Sequence, residues 1–173
     1  MPHFRFSRLF ALIVAVFCLM GTARADEQTF SEFAVDLPEG WSGGEKSGFS
    51  SGDKAEYMLV LGKMDPSGDT YAAQVSVFVL PNRNRVEAQA FARQMAGKQA
   101  DATEPRREGP FWIFTGDPRD NVVKGMGTTR VAADDACIII VISKDPSGAN
   151  GADGIAAGLK PLSERTRALL LQK

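Results

Sequence analysis

The clearest pattern in the chain is the stretch TYAAQVSVFVLP, residues 70–81. Tyr71, Ala73, Val75, Val77 and Val79 alternate with a second set that includes Gln74 and Ser76. A period of two predicts a strand. Just before it, EYMLVLGKM is apolar at nearly every position and reads as a strand covered on both faces. The turn DPSGD joins the two, and QTFSEFAVDLPEGW ahead of them reads as a strand ending at Pro38. These three strands make a meander. The period then changes. In NRNRVEAQAFARQMAGKQ, Ala88, Phe91, Ala92 and Met95 fall at i, i+3, i+4 and i+7, which predicts a helix with one apolar stripe. Asn84 and Glu87 have the spacing of a capping box.

After the polar connection ADATEPRREG, strand patterns return in PFWIFTGD and in VVKGMGTTRVAA, the latter weakened by Gly125 and Gly127. CIIIVIS is continuously apolar: Ile138, Ile140 and Ile142 face one side, Cys137, Ile139 and Val141 the other. It reads as a central strand needing cover on both faces. The tail places Ile155 and Leu159, then Leu162, Thr166, Leu169 and Leu170, at helical spacing, with a break or kink at Pro161. The expected order is β-β-β-α-β-β-β-α. The expected fold is α+β, an α/β/α sandwich around a largely antiparallel sheet, with Phe91–Met95 covering one face and the carboxy-terminal leucines the other.

The first 25 residues change the compartment. Arg5 and Arg8 precede the 12-residue apolar run LFALIVAVFCLM, and Ala23-Arg24-Ala25 is a small-x-small cleavage pattern. This is a secretory signal peptide, and Phe17 before Cys18 does not suit a lipoprotein cleavage site. Residues 26–173 form one exported domain, periplasmic or secreted, with no transmembrane segment after cleavage. Its 17 basic and 21 acidic residues leave a net charge of −4, unfavourable for nucleic acid. The mature chain has no histidine, since His3 lies in the leader, and one cysteine, Cys137. Histidine-dependent triads, histidine-ligated metals and internal disulfides are thereby removed. Cys137, inside an apolar strand, reads as buried and inert.

Four motifs invite chemistry. GWSGGEKS matches a phosphate loop at Gly40, Lys46 and Ser47, but Glu45 replaces the second glycine and no helix follows, so it reads as part of a Gly/Ser-rich loop. DPSG occurs at Asp65–Gly68 and Asp145–Gly148 and reads each time as a type I turn. As a calcium loop the first copy lacks the required Gly and Glu. Asp134-Asp135 is a turn pair without near partners. Arg83, Arg85, Arg106 and Arg107, with Lys46 and Trp41, are the candidate interaction surface, weighed against a solvated helix face and a structural tryptophan. Trp112 reads as core. No catalytic, cofactor or metal residues are assigned.

FAVDLPEGW also carries a resemblance. On Phe33, Val35, Leu37, Pro38, Gly40 and Trp41 the chain resembles the PsbP-like superfamily with its Mog and DcrB-like branches, over about residues 30–170. The resemblance implies an α/β/α sandwich and a non-enzymatic accessory or binding role in a larger assembly, with no catalytic set to carry over. Three functions follow in order: an accessory domain binding an envelope protein; a carrier or sensor of a small hydrophobic ligand, with the SGGEKSGFSSG loop over an apolar pocket; and a histidine-free, carboxylate-dependent enzyme. The last requires Asp65, Asp69, Asp117, Asp120, Asp134 and Asp135 to converge.

The centrality of CIIIVIS is testable. Ile140→Ala is expected to lower stability by about 2–5 kcal/mol, and Lys46→Ala by less than about 0.5 kcal/mol. Urea melts of both variants check this; small, equal effects would show that the strand is not central.

Overall fold

The computed structural model of the chain describes residues 26–119 and 122–171; the expected signal peptide and Asp120 lie outside them. Ten strands and three helices are present among the described residues. The strands are β1 (Asp26–Thr29), β2 (Phe33–Leu37), β3 (Trp41–Ser47), β4 (Tyr57–Met64) and β5 (Tyr71–Pro81), then β6 (Arg106–Glu108), β7 (Phe111–Gly116), β8 (Gly127–Ala133), β9 (Cys137–Lys144) and β10 (Lys160–Pro161). The helices are α1 (Ala88–Ala96), α2 (Ala152–Ala157) and α3 (Glu164–Leu170). Seven strands form one sheet in the order β3-β4-β5-β9-β8-β7-β6, and three form a second, β1-β2-β10. Every pairing is antiparallel.

The expected α/β/α sandwich is not the fold. The molecule is a β-rich structure of two antiparallel sheets with short helices. The cause lies in the tail. Gly151, Gly158 and Pro161 interrupt it, so its helices are only six and seven residues long. Pro161 does not kink a helix; with Lys160 it pairs against β2. On that face the large sheet is covered chiefly by the small sheet and α2. Phe33, Val35 and Leu37 of β2 share one buried cluster with Leu59, Leu61, Val75, Val77, Ile139, Val141, Ile155 and Leu169. The first expected strand is also two, β1 and β2, folded back on each other.

GWSGGEKS is corrected too. It is neither a phosphate loop nor a flexible loop, because all seven residues of β3 pair with β4, from Trp41↔Lys63 to Ser47↔Tyr57. Gly43 explains part of this: a Cβ there would lie 2.4 Å from Leu61 Cδ2 and 3.0 Å from the Val60 carbonyl, so only glycine lets the strand approach so closely.

The connection into α1 also differs from expectation. Asn84 is not the cap; Glu87 occupies that position without a side-chain bond. Asn82, nearly fully buried, organises the segment instead. Its side chain accepts from Val86 N at 2.9 Å and donates to the Val86 and Asp134 carbonyls at 3.0 and 2.7 Å. Arg85 takes a φ of 49°, which keeps the helix from starting earlier.

α1 lies over β7 and β8. Its Ala92, Ala96, Phe91 and Met95 pack with Phe114, Val131, Ile138 and Ile140, while Cys137, Ile139 and Val141 belong to the other cluster. Cys137 is buried, and burial pushes its thiol pKa up to about 11.

Candidate functional site

A nine-residue helix spans only about 14 Å. It cannot cover a seven-stranded sheet, whose strands lie about 4.8 Å apart. Register shows what stays open. One row of directly paired residues crosses the whole sheet: Lys46, Met58, Phe78, Ile140, Val131, Trp112, Arg107. Directly paired residues share a face. α1 lies over the Val131–Trp112 half, and the other half forms an apolar groove of about 480 Å³. Phe78, Leu80, Ile140 and Ile142 line it, with Met95 from α1 and Phe49 from the β3–β4 loop. The Phe49 and Phe78 rings meet at 5.7 Å with a 50° tilt.

The loop that carries Phe49 is built for its place. Gly48 adopts φ 61°, and a Cβ there would come within 3.2 Å of the Gly52 backbone, so the loop closes tightly only with glycine. Inside the loop the Glu56 carboxylate accepts from Ser50 N at 3.0 Å, Ser51 N at 2.9 Å and Ser51 Oγ at 2.6 Å. Asp53 accepts from Ala55 N at 2.9 Å and pairs with Arg83 beyond β5. Arg165 of α3 donates to the Ala55 carbonyl at 2.6 Å while its Nε and Nη2 hold Glu32 at 3.1 and 2.6 Å. The loop's own carboxylates and two separate elements, the segment after β5 and α3, therefore fix it.

The residues singled out from the sequence do not form one surface. Trp41 is buried in the cluster under β2, and its Nε1 donates to the Asn150 carbonyl at 3.2 Å; it is a structural anchor. Lys46 is exposed, on the groove's face at the sheet edge. Arg83 stands on the groove rim, and Arg85 is exposed on the link to α1. Arg106 and Arg107 lie on β6, the opposite edge, on opposite faces: Arg106 pairs with Glu108 at 3.7 Å and Arg107 Nε reaches the Gly109 carbonyl at 3.4 Å. Trp112 is half-buried against the α1 cluster.

Phe78 and Leu80 were not singled out; Met95 and Ile142 were read only as core, and Phe49 only as part of a loop over an apolar pocket. A signal existed in β5, whose second face changes from Gln74 and Ser76 to Phe78 and Leu80 within one strand. Such a strand has two apolar faces at one end, and a single short helix follows to cover them.

The acidic turns are self-contained. Asp65 accepts from the Ser67 hydroxyl at 2.7 Å, Gly68 N at 2.8 Å and the Thr70 hydroxyl at 2.6 Å. The two hydroxyls, Thr70 foremost, lower its pKa to about 2. Asp145 in the second DPSG is held likewise by Ser147 and Asn150. The described aspartates Asp65, Asp69, Asp117, Asp134 and Asp135 are spread over three separate connections, Asp117 in an isolated bridge with Ala100. Among the described residues no group of three His, Cys, Asp or Glu side chains could hold a metal ion.

Glu56 gives the groove wall an acid dependence. The Ser51 hydroxyl, foremost, and the Ser51 and Ser50 amides lower its pKa from the ordinary 4.5. A lowered folded-state pKa means the carboxylate's contribution is full above 4.5 and lost as pH falls through the lowered value. In an NMR titration the Ser50 and Ser51 amide signals are expected to shift in one transition below pH 4.5, and not in Glu56→Gln. The same transition in the variant would contradict this assignment. Comparison with protein-family models, with curated proteins and with solved structures finds no match to this chain.

Proposed function

We propose that this chain is an exported, non-catalytic binding protein that carries or senses a small hydrophobic molecule in the groove between α1 and the β3–β4 loop. One observation carries the reading: a concave apolar surface of about 480 Å³, lined by Phe49, Phe78, Leu80, Met95, Ile140 and Ile142. Small-molecule sites typically occupy roughly 300–1,000 Å³, are lined by apolar and aromatic side chains, and carry a few polar groups to orient the ligand. Here the polar groups are Ser50, Glu56 and Arg83. The loop is already held in place, so little ordering opposes binding. Export rests on the amino-terminal leader and the absence of catalytic histidine on the mature chain's composition.

A second reading has its own support. β3 is an edge strand of seven residues, paired only with β4 within the sheet. Edge strands can accept an extended segment of another protein, which would suit an accessory domain of an envelope assembly, the role that the PsbP-like resemblance implies. Cross-linking in envelope fractions separates the two readings. A carrier runs as a monomer with small-molecule cargo, and an accessory domain traps a protein through β3.

The groove reading is tested with the neutral apolar dye N-phenyl-1-naphthylamine. The folded protein is expected to enhance its fluorescence saturably. Phe49→Ala, a change in the loop rather than the core, is expected to weaken dye binding about fivefold or more. Full affinity in Phe49→Ala, or no saturable binding by the wild type, would remove this reading.

A further inference from the structure

The groove is chemically lopsided, and this bears on its ligand. Most of its lining is apolar, while its polar atoms gather at the loop rim, on Ser50, Glu56 and Arg83. The rim's acceptor is already occupied. Both Glu56 oxygens are turned into the loop and receive Ser50 N, Ser51 N and Ser51 Oγ. The rim's donors are not. A guanidinium has five N–H donors. Among the described residues Arg83 uses one nitrogen, Nη2, toward Asp53, and its side chain is 74% exposed. The Ser50 hydroxyl enters no hydrogen bond among the described residues, where only its amide is engaged. Lys46 adds a second cation on the same face of the sheet, in the row that runs through Met58 and Phe78 to Ile140. Free donors at one end of an apolar groove call for a ligand that brings acceptor oxygens to that end and hydrocarbon to the rest.

Resting on the groove reading above, we propose that the ligand is a linear aliphatic chain with an anionic oxygen head group, carboxylate or phosphate, its head held by Arg83 and Ser50 and its chain lying on Phe78, Ile140 and Ile142. Asp53 keeps the guanidinium at the rim and leaves the rest of its planar fork for the head group, the geometry that arginine offers to carboxylate and phosphate. Two carboxylates stand at this end, Asp53, which is paired with Arg83, and Glu56. Both oppose an anion only weakly, because Glu56 already faces three donors and Asp53 faces Ala55 N and the guanidinium. A cationic head would meet Arg83 and find no unoccupied carboxylate on the rim.

Four probes with one chain and different heads test this below their micellar range: dodecanoate, dodecyl phosphate, dodecanol and dodecyltrimethylammonium, by isothermal titration on the full mature chain. The two anions are expected to bind about three- to fivefold more tightly than dodecanol, the size of a charge pair at the surface. This advantage shrinks as salt rises. Arg83→Gln, at an exposed position, is expected to abolish the anion advantage, bringing both anions to the affinity that the same variant shows for dodecanol. Preference for one anion alone identifies the head as that group. Equal affinities across the four heads, or an anion advantage that survives Arg83→Gln, overturn the head-group assignment and leave the groove reading standing. Binding of none of the four overturns both.

Discussion

A central strand with two apolar faces needs two covering layers, and this chain has enough material for one and a half. Cys137, Ile139 and Val141 of β9 are sealed by the small sheet and the tail, in a cluster that runs from Phe33 to Leu169. Ile138, Ile140 and Ile142 meet a single nine-residue helix. Fully burying an isoleucine favours folding by about 1.5–3 kcal/mol, and the helix, placed over β7 and β8, covers only part of this face. What it cannot reach stays open as the groove. The candidate site follows from the mismatch between a seven-stranded sheet and a short helix.

Polar interactions then decide what the groove's second wall looks like. The β3–β4 loop has little apolar content besides Phe49, and it is fixed by charge and hydrogen bonds instead. Glu56 gathers its backbone, Asp53 ties it to Arg83, and Arg165 reaches it from α3 while also holding Glu32, itself largely buried. The same contacts that place Phe49 over Phe78 leave Arg83 on the rim with donors to spare. Fold stability and the proposed recognition thus share residues, but they lie on different atoms of those residues.

Much of the architecture was legible because it rests on periodicity. The alternation in β5, the two faces of β9 and the apolar stripe of α1 all appear where the pattern places them. Both DPSG turns form as the chemistry of Asp, Pro, Ser and Gly requires, each with a bond from the glycine amide to the aspartate carbonyl. The failures share a cause. WSGGEKS has no apolar pattern, and its strand is imposed by pairing with β4, a tertiary effect that outweighs local propensity. The tail has helical spacing, but three residues that break helices let a strand bridge intervene, and the helical second layer disappears. Asn84 looked like a cap because only spacing was visible; the buried carboxamide of Asn82 does the organising through Asp134, 52 residues away. An apolar pocket under the SGGEKSGFSSG loop was expected, but its walls were hidden for a related reason. It is a place left uncovered, and Phe49, Phe78 and Met95 come together only after the sheet order β4-β5-β9 is set.

The central claim is that the uncovered half of one sheet face is where this protein binds its ligand, and methyl NMR with a saturating apolar probe tests it most directly. Shift changes are predicted for Leu80, Met95, Ile140 and Ile142, which line the groove. Leu61, Val77 and Ile139, on the opposite face of the same sheet, are predicted to stay still. Changes centred on Leu61, Val77 and Ile139, or none at all under saturation, would contradict the account.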